Sequence, residues 1–328
     1  MSFFAVLFAL LIEQFKRLPQ DSWLHDAVHG WFDWTERNLD AGRQRHAWVV
    51  WGVTVLLPVA LTLAAYLLLA HFSLLLALLF NVLMLYLTLG FRRFSHYFTD
   101  IRDALDRGDE AQARQLLAQW CRLDASELPR TELLRHVIEH SLLAVHRNVF
   151  GVFFWFIVVS AFGLGPAGAV FYRLSEFASR WWSLRQRGAP GTGNERLAQL
   201  AQRLFTVIDH VPARLTAFGF AVVGNFEEAV SGWRRDASLW LHSNEGIILA
   251  SAAGAIGVRL GGGPALTTQM DRGRAWAAGD PAAVQAHGMT PGLPAQAGHL
   301  HSLVGLVWRS MVLWMLLVAL LTLANVVG

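Results

Sequence analysis

The chain of 328 residues is 54% hydrophobic and only 16% charged, with 27 Lys and Arg against 24 Asp and Glu and a net charge of +3. A soluble domain carries about 25% charged residues, so this composition excludes an ordinary soluble enzyme and points to a protein embedded in a lipid bilayer. Lys16 is the only lysine, which excludes a P-loop, and no reading module accompanies the basic excess, so no nucleic-acid partner is expected.

In chain order, the segment from Met1 to Phe15 is apolar but lacks a basic leader and a small-x-small cleavage site, so it reads as a retained, membrane-embedded or interfacial helix. Trp48 to Ala70 contains no charged residue and is long enough to cross a bilayer, which needs about 20 apolar residues. Leu74 to Gly90 follows as a second apolar run, interrupted mainly by Asn81. Arg43 and Arg45 before this pair and Arg92 and Arg93 after it predict a hairpin with both open ends cytoplasmic. The lone Cys121 excludes an intramolecular disulfide and fits the same reducing side.

Between residues 92 and 148 the chain is mixed in charge and helical in period. Asp109-Glu110 predicts the start of a helix carrying Ala113, Leu116, Leu117, Trp120 and Cys121, and Thr131 predicts the cap of the next. That second helix has an apolar stripe of Leu134, Val137, Ile138, Ser141, Leu142 and Val145, with His136, Glu139, His140 and Arg147 on another arc expected at the cytoplasmic surface. His136 to His140 fits H-x-x-E-H, a zinc-peptidase pattern. No third ligand is evident, so no zinc is expected and a solvated His/Glu face or a carboxylate site at Glu139 are the other readings.

A third span is expected from Val149 to about Val170, ending in a break at Gly163-Leu164-Gly165-Pro166. Tyr172, Arg173, Glu176 and Arg180 come next, then a linker from Gly188 to Asn194. Helical period returns at Glu195 and runs into Asp209 and Pro212-Ala213-Arg214, where a kink and a guanidinium coincide near membrane depth; arginine there is usually paired or functional. Ser243-Asn244-Glu245-Gly246 predicts a turn with exposed N–H groups. The small residues from Ala250 to Gly257 then predict close packing on a neighbouring helix. Arg259 followed by Gly261, Gly262 and Gly263 sets a fixed charge beside permissive backbone. This reads either as an anion-handling corner or as a re-entrant helix with a flexible exit. A Gly-, Ala- and Pro-rich loop leads from Gly273 to a last span, Leu303 to Val327. The expected fold is an all-α integral membrane protein with about four full transmembrane helices plus re-entrant or kinked and interfacial helices and a helical cytoplasmic segment. It reads as one domain over 1-328, parsed as 1-46, 47-91, 92-148, 149-263, 264-302 and 303-328.

Several of these residues resemble the CobD/CbiB cobalamin-biosynthesis membrane proteins. Ser243-Asn244-Glu245-Gly246, Ala253-Gly254-Ala255 and Gly257-Val258-Arg259-Leu260-Gly261-Gly262 are similar to that family's Ser-Pro-Asn-x-Gly, Ala-Gly-Ala and Leu-Gly-Gly signature. Pro212-Ala213-Arg214-Leu215 matches its Pro-Ala-Arg-Leu, and Phe154-Trp155 with Gly163 the end of its central acidic motif. Glu139 stands at the first glutamate of that motif, and Tyr172-Arg173 where the family has Tyr-Lys. The resemblance implies adenosylcobinamide-phosphate synthase activity, which joins adenosylcobyric acid to an aminopropanol phosphate with ATP and Mg²⁺, at the bacterial inner membrane with the main loops cytoplasmic. On that reading Glu139, Asp209 and Glu176 are the candidate catalytic groups, with Glu139 also the candidate Mg²⁺ ligand. Arg147, Arg173, Arg214, Asn244, Gly246, Arg259, Gly261 and Gly262 would hold a phosphate-bearing substrate or the corrinoid, the eight side chains of Glu139, Arg147, Arg173, Glu176, Asp209, Arg214, Asn244 and Arg259 lining one cavity.

The sequence also departs from the family. Leu143-Ala144 and Arg147-Asn148 stand where it has Glu-Asn and Asp-Gly, Glu176 to Ser179 where it has Asn-Thr-x-Asp, Phe205 and Thr206 where it has paired aspartates, and Glu13-Gln14 where it has Asp-Pro. These changes resemble AmpE, a membrane relative linked to β-lactamase induction, and make a non-catalytic signalling or modulator protein the alternative.

Overall fold

A computed structural model of the chain describes residues 2–15, 23–39, 44–89, 91–121, 125–188, 195–240, 242–261 and 289–327. The linker expected at 188–194 (beyond Gly188), most of the loop at 264–302, and Gly262 and Gly263 lie outside the described residues, as do the side chains of Glu13 and Gln14. The described residues are nearly all helical, with two isolated bridges, Val258 to Leu293 and Gly261 to Met289, as their only extended pairing.

Among the described residues three helices are long and apolar enough to cross a membrane: His46–Phe72, Arg130–Ala161 and Ala297–Ala324. The first and last agree with the expected spans. The expected second span is the helix Leu74–Thr88, whose 15 residues rise only about 22 Å against a hydrocarbon core of about 30 Å. The third candidate starts earlier than expected and stops at Ala161, because Gly163 (φ 77°) and Gly165 (φ 58°) turn the chain where the sequence signalled a break. Among the described residues the count by length is three, so the expected fourth full span is not confirmed.

The chain divides into two compact units. The first comprises residues 1–90, 147–210 and 318–328. It contains α1 (Ser2–Phe15), α2 (Trp23–Leu39), α3 (Gln44–Phe72), α4 (Leu74–Thr88), α8 (Gly151–Ala161), α9 (Ala167–Gly188) and α10 (Glu195–Ile208). Ala5, Val6 and Ala9 are fully buried on α1, which packs against α4. Phe32, Val50, Trp51, Val55, Trp182 and Leu197 form a core where α2, α3, α9 and α10 meet, and the small Ala178, Ala198 and Ala201 let α9 and α10 approach closely. Thr54 Oγ1 donates to Thr35 Oγ1 at 2.8 Å, satisfying two buried hydroxyls between α2 and α3. Gly168 is required where α9 crosses α8, since a Cβ there would lie 2.1 Å from Trp155 O.

The second unit comprises residues 91–146 and 211–317. It contains α5 (Phe91–Asp106), α6 (Glu110–Cys121), α7 (Arg130–Val145), α11 (His210–Val223, from its second residue), α12 (Phe226–Asp236), α13 (Ser243–Ile256) and most of α14 (Ala297–Val327). Asp109 caps α6 as expected, accepting from Gln112 N at 2.9 Å. Thr131 does not cap α7, which starts at Arg130 behind Pro129 with no side-chain cap. The stripe Leu134, Val137, Ile138, Ser141, Leu142 and Val145 is buried as its spacing predicts. Burial pushes the Cys121 thiol up to about 12.

Small residues set the packing of α12 on α13, as the Ala250–Gly257 run predicted. A Cβ on Gly254 would stand 2.3 Å from Glu228 O, and one on Gly232 2.8 Å from Ala250 O. Two expectations are corrected here. Ser243 to Gly246 is the first turn of α13, not a separate turn, with Gly246 N bonded to His242 O at 2.9 Å. Its residue types suit a helix start as well as a loop. The Pro212 kink is a break at Asp209 between α10 and α11, which leaves Pro212 in the first turn of α11 where its missing N–H breaks no helical bond.

Candidate functional site

In the second unit, α7 brings Arg135, His136 and Glu139 together. Glu139 lies buried, not at the surface that its arc suggested. Its Oε1 accepts from Gly261 N at 2.7 Å and from Arg135 Nη1 at 3.0 Å, while His136 Nδ1 lies 3.6 Å from Oε2. Arg135 is also buried and donates to Glu132. A buried carboxylate needs such partners to remain ionised. His140 has a different neighbour, packing edge-on against Trp120 at 4.5 Å.

Gly261 belongs to a short extended segment that begins where α13 ends at Gly257 (φ 70°). Arg259 N donates to Leu293 O at 2.8 Å, Leu260 N to Thr290 Oγ1 at 2.9 Å and Gly261 N to Glu139. These three N–H groups are thus taken within the chain, while those of Gly262 and Gly263 lie outside the described residues. The acceptor for the backbone at this corner is the Glu139 carboxylate, 122 residues earlier in the sequence, which takes the Gly261 N–H. Gly261 has φ 76°, so only a residue tolerating left-handed backbone can aim its N–H this way.

Arg214 and Asn244 also meet in this unit, with Nη1 3.5 Å from Oδ1. Asn244 is buried in the first turn of α13. Gly246 serves packing, since a Cβ there would come within 2.5 Å of Ala237 O. The Arg259 side chain is exposed.

The first unit gathers Arg147, Arg173, Glu176 and Asp209. His146–Phe150 is a turn of π-helix between α7 and α8, an irregularity often found at functional positions, and it carries Arg147 and Asn148. Arg173 Nη1 donates to Asn148 Oδ1 at 2.7 Å and to Glu176 Oε2 at 3.3 Å, and Arg180 reaches Glu176 Oε1 at 3.7 Å. Tyr172, fully buried, donates to Asp209 Oδ1 at 2.8 Å. Gly151 makes room for its ring, because a Cβ there would fall 2.2 Å from the phenol. Burial foremost, then the Asp209 and Glu176 carboxylates, pushes the Tyr172 phenol well above its usual range, so it remains a donor.

The carboxylates of both clusters are committed to internal partners: Glu139 to Arg135 and Gly261, Glu176 to Arg173 and Arg180, Asp209 to Tyr172. Among the described residues no group of three His, Cys, Asp or Glu side chains could hold a metal ion. Glu139 acts as an acceptor for cationic and N–H groups. Reading the sequence missed Arg135 and Asn148; a charged residue one turn before Glu139 was the available signal for the first.

Compared with known proteins, the chain matches, over residues 3–288, the family described as CobD/Cbib protein. The chain belongs to this family. A CobD/Cbib relative from Stutzerimonas stutzeri, named cobalamin biosynthesis protein CobD, is 32% identical over 324 residues, covering 96% of each chain. Proteins of the same name from Chromobacterium violaceum and Pelobacter propionicus are 35% and 31% identical over 185 and 170 residues, covering 56% and 49% of this chain and 55% and 49% of theirs. No solved structure matches. The comparisons give no support to the AmpE alternative.

Proposed function

We propose that this CobD/Cbib protein acts in cobalamin biosynthesis at the bacterial inner membrane, with its main loops cytoplasmic, as an amide-forming synthase. It joins a carboxyl group of adenosylcobyric acid to the amine of an aminopropanol phosphate. The observation that carries this reading is the match to a CobD relative over 96% of both chains, which takes in every motif-bearing segment from Glu139 to Gly261. The clusters suit such substrates. Arg147 and Arg173 are cationic groups among apolar helices, Arg173 is oriented by Asn148 and Glu176, and guanidinium groups recognise phosphate and carboxylate oxygens bidentately. Asp209, held by Tyr172, is an acidic group of the same cluster and is proposed as a catalytic group on the family resemblance. Forming the amide removes an oxygen from the carboxyl group, and ATP is the activating co-substrate that the family resemblance implies.

A strain deleted for the encoding gene tests the pathway assignment. It should make cobalamin when supplied with cobinamide and fail when supplied with cobyric acid, and the gene in trans should restore use of cobyric acid. Growth on cobyric acid without the gene would contradict the proposal.

A further inference from the structure

Arg309 is the only charged residue of α14, and it lies about 18 Å along the helix from its start. An arginine in so apolar a helix needs a polar partner. Its Nε donates to Gly305 O at 3.1 Å, and its Nη2 lies 4.0 Å from where a Gly305 Cβ would stand. The side chain thus folds back over the glycine toward the helix start, the way helical side chains lean, and Ser302 follows on the same face. Among the described residues Arg309 forms no ion pair.

Ser302, Gly305 and Arg309 line one wall of a cavity of about 650 Å³ within the second unit, a volume typical of small-molecule sites. Another wall is α12, which contributes Glu228, Arg235 and Asp236. Asp236 holds Arg235 bidentately at 2.8 and 3.0 Å, and Glu228 acts on the same guanidinium through space. The α12 wall therefore carries two carboxylates against one guanidinium and is net negative, while the α14 wall is net positive.

We infer that this cavity binds a small ligand carrying a phosphate and an ammonium group, with the phosphate on Arg309 and Ser302 and the ammonium toward Glu228. A free amino-alcohol phosphate has this chemistry, and so does the headgroup of phosphatidylethanolamine. The choice of aminopropanol phosphate as soluble probe rests on the synthase reading; the charge pattern of the walls does not.

The test is calorimetric binding of aminopropanol phosphate and of propyl phosphate, which lacks the amine, to the full chain in detergent. Arg309→Gln should weaken both probes about tenfold, the loss of roughly one charge-assisted contact. Arg309→Lys should recover much of that affinity, and Glu228→Gln should weaken only the amine-bearing probe. In nanodiscs, preferential retention of phosphatidylethanolamine over phosphatidylglycerol that Arg309→Gln abolishes, without binding of either soluble probe, would assign the site to the lipid headgroup. Equal affinity for the two soluble probes, or no binding of either, together with lipid retention equal in all variants, overturns the inference. Intact binding without ligation would sink the synthase reading and leave this site standing.

Discussion

Glu139→Ala should lower the stability of the folded protein by about 2–3 kcal/mol, since it deletes two hydrogen bonds and removes one of the two carboxylates that face buried Arg135. The carboxylate holds Gly261 N at 2.7 Å and Arg135 Nη1 at 3.0 Å, both within a buried environment. Arg135 keeps Glu132 as a partner, which places the loss below the ~3–5 kcal/mol typical of a fully broken buried pair. Glu139→Gln retains an acceptor for Gly261 and loses only the charge, so its effect should be smaller. The measurement is thermal unfolding in detergent with hydrogen exchange at the Gly261 amide. Exchange there should rise strongly in the alanine variant and little in the glutamine variant. Equal exchange in all three proteins would show that Glu139 does not anchor the glycine corner.

Replacing Gly254 by alanine should be about as damaging. The added Cβ would stand 2.3 Å from Glu228 O, 2.5 Å from Glu228 C and 2.7 Å from Ala229 N, all backbone atoms of α12. A flexible side chain could swing away, but a helix backbone moves only as a unit, so α12 and α13 must separate. Overpacking typically costs about 1–3 kcal/mol and occasionally more, and this geometry belongs at the upper end. Gly219→Ala is the control: its Cβ would meet only Trp314 Nε1, at 3.9 Å, and alanine is the better helix former. Folded yield by size exclusion should collapse for Gly254→Ala and hold for Gly219→Ala. Equal yields would contradict the close α12–α13 crossing.

The parts legible in the sequence were those with a local cause. Uninterrupted apolar runs marked the first and last spans, Asp109 marked its cap, and small residues from Ala250 to Gly257 marked a close helix contact. Glycines at 163 and 165 marked the break after the third span, although the helix stops at Ala161, several residues before the expected end. What was not legible depends on partners far along the chain. Helical period gave Glu139 an azimuth and could not show that Gly261 would bury it. Ser243 to Gly246 carries residue types shared by turns and helix starts, and only packing on Ala237 and Trp240 decides between them. Arg309, the one charge in the last apolar run, was not singled out from the sequence, because its meaning comes from the cavity that it lines.

The most direct test of the account is a ligation reaction with the purified full chain, supplying adenosylcobyric acid, aminopropanol phosphate, ATP and Mg²⁺ and reading the product by mass spectrometry. The account predicts a species whose mass is the sum of the two substrates less one water, formed only when the protein is present. A folded, membrane-embedded protein that yields no such species under these conditions would contradict it.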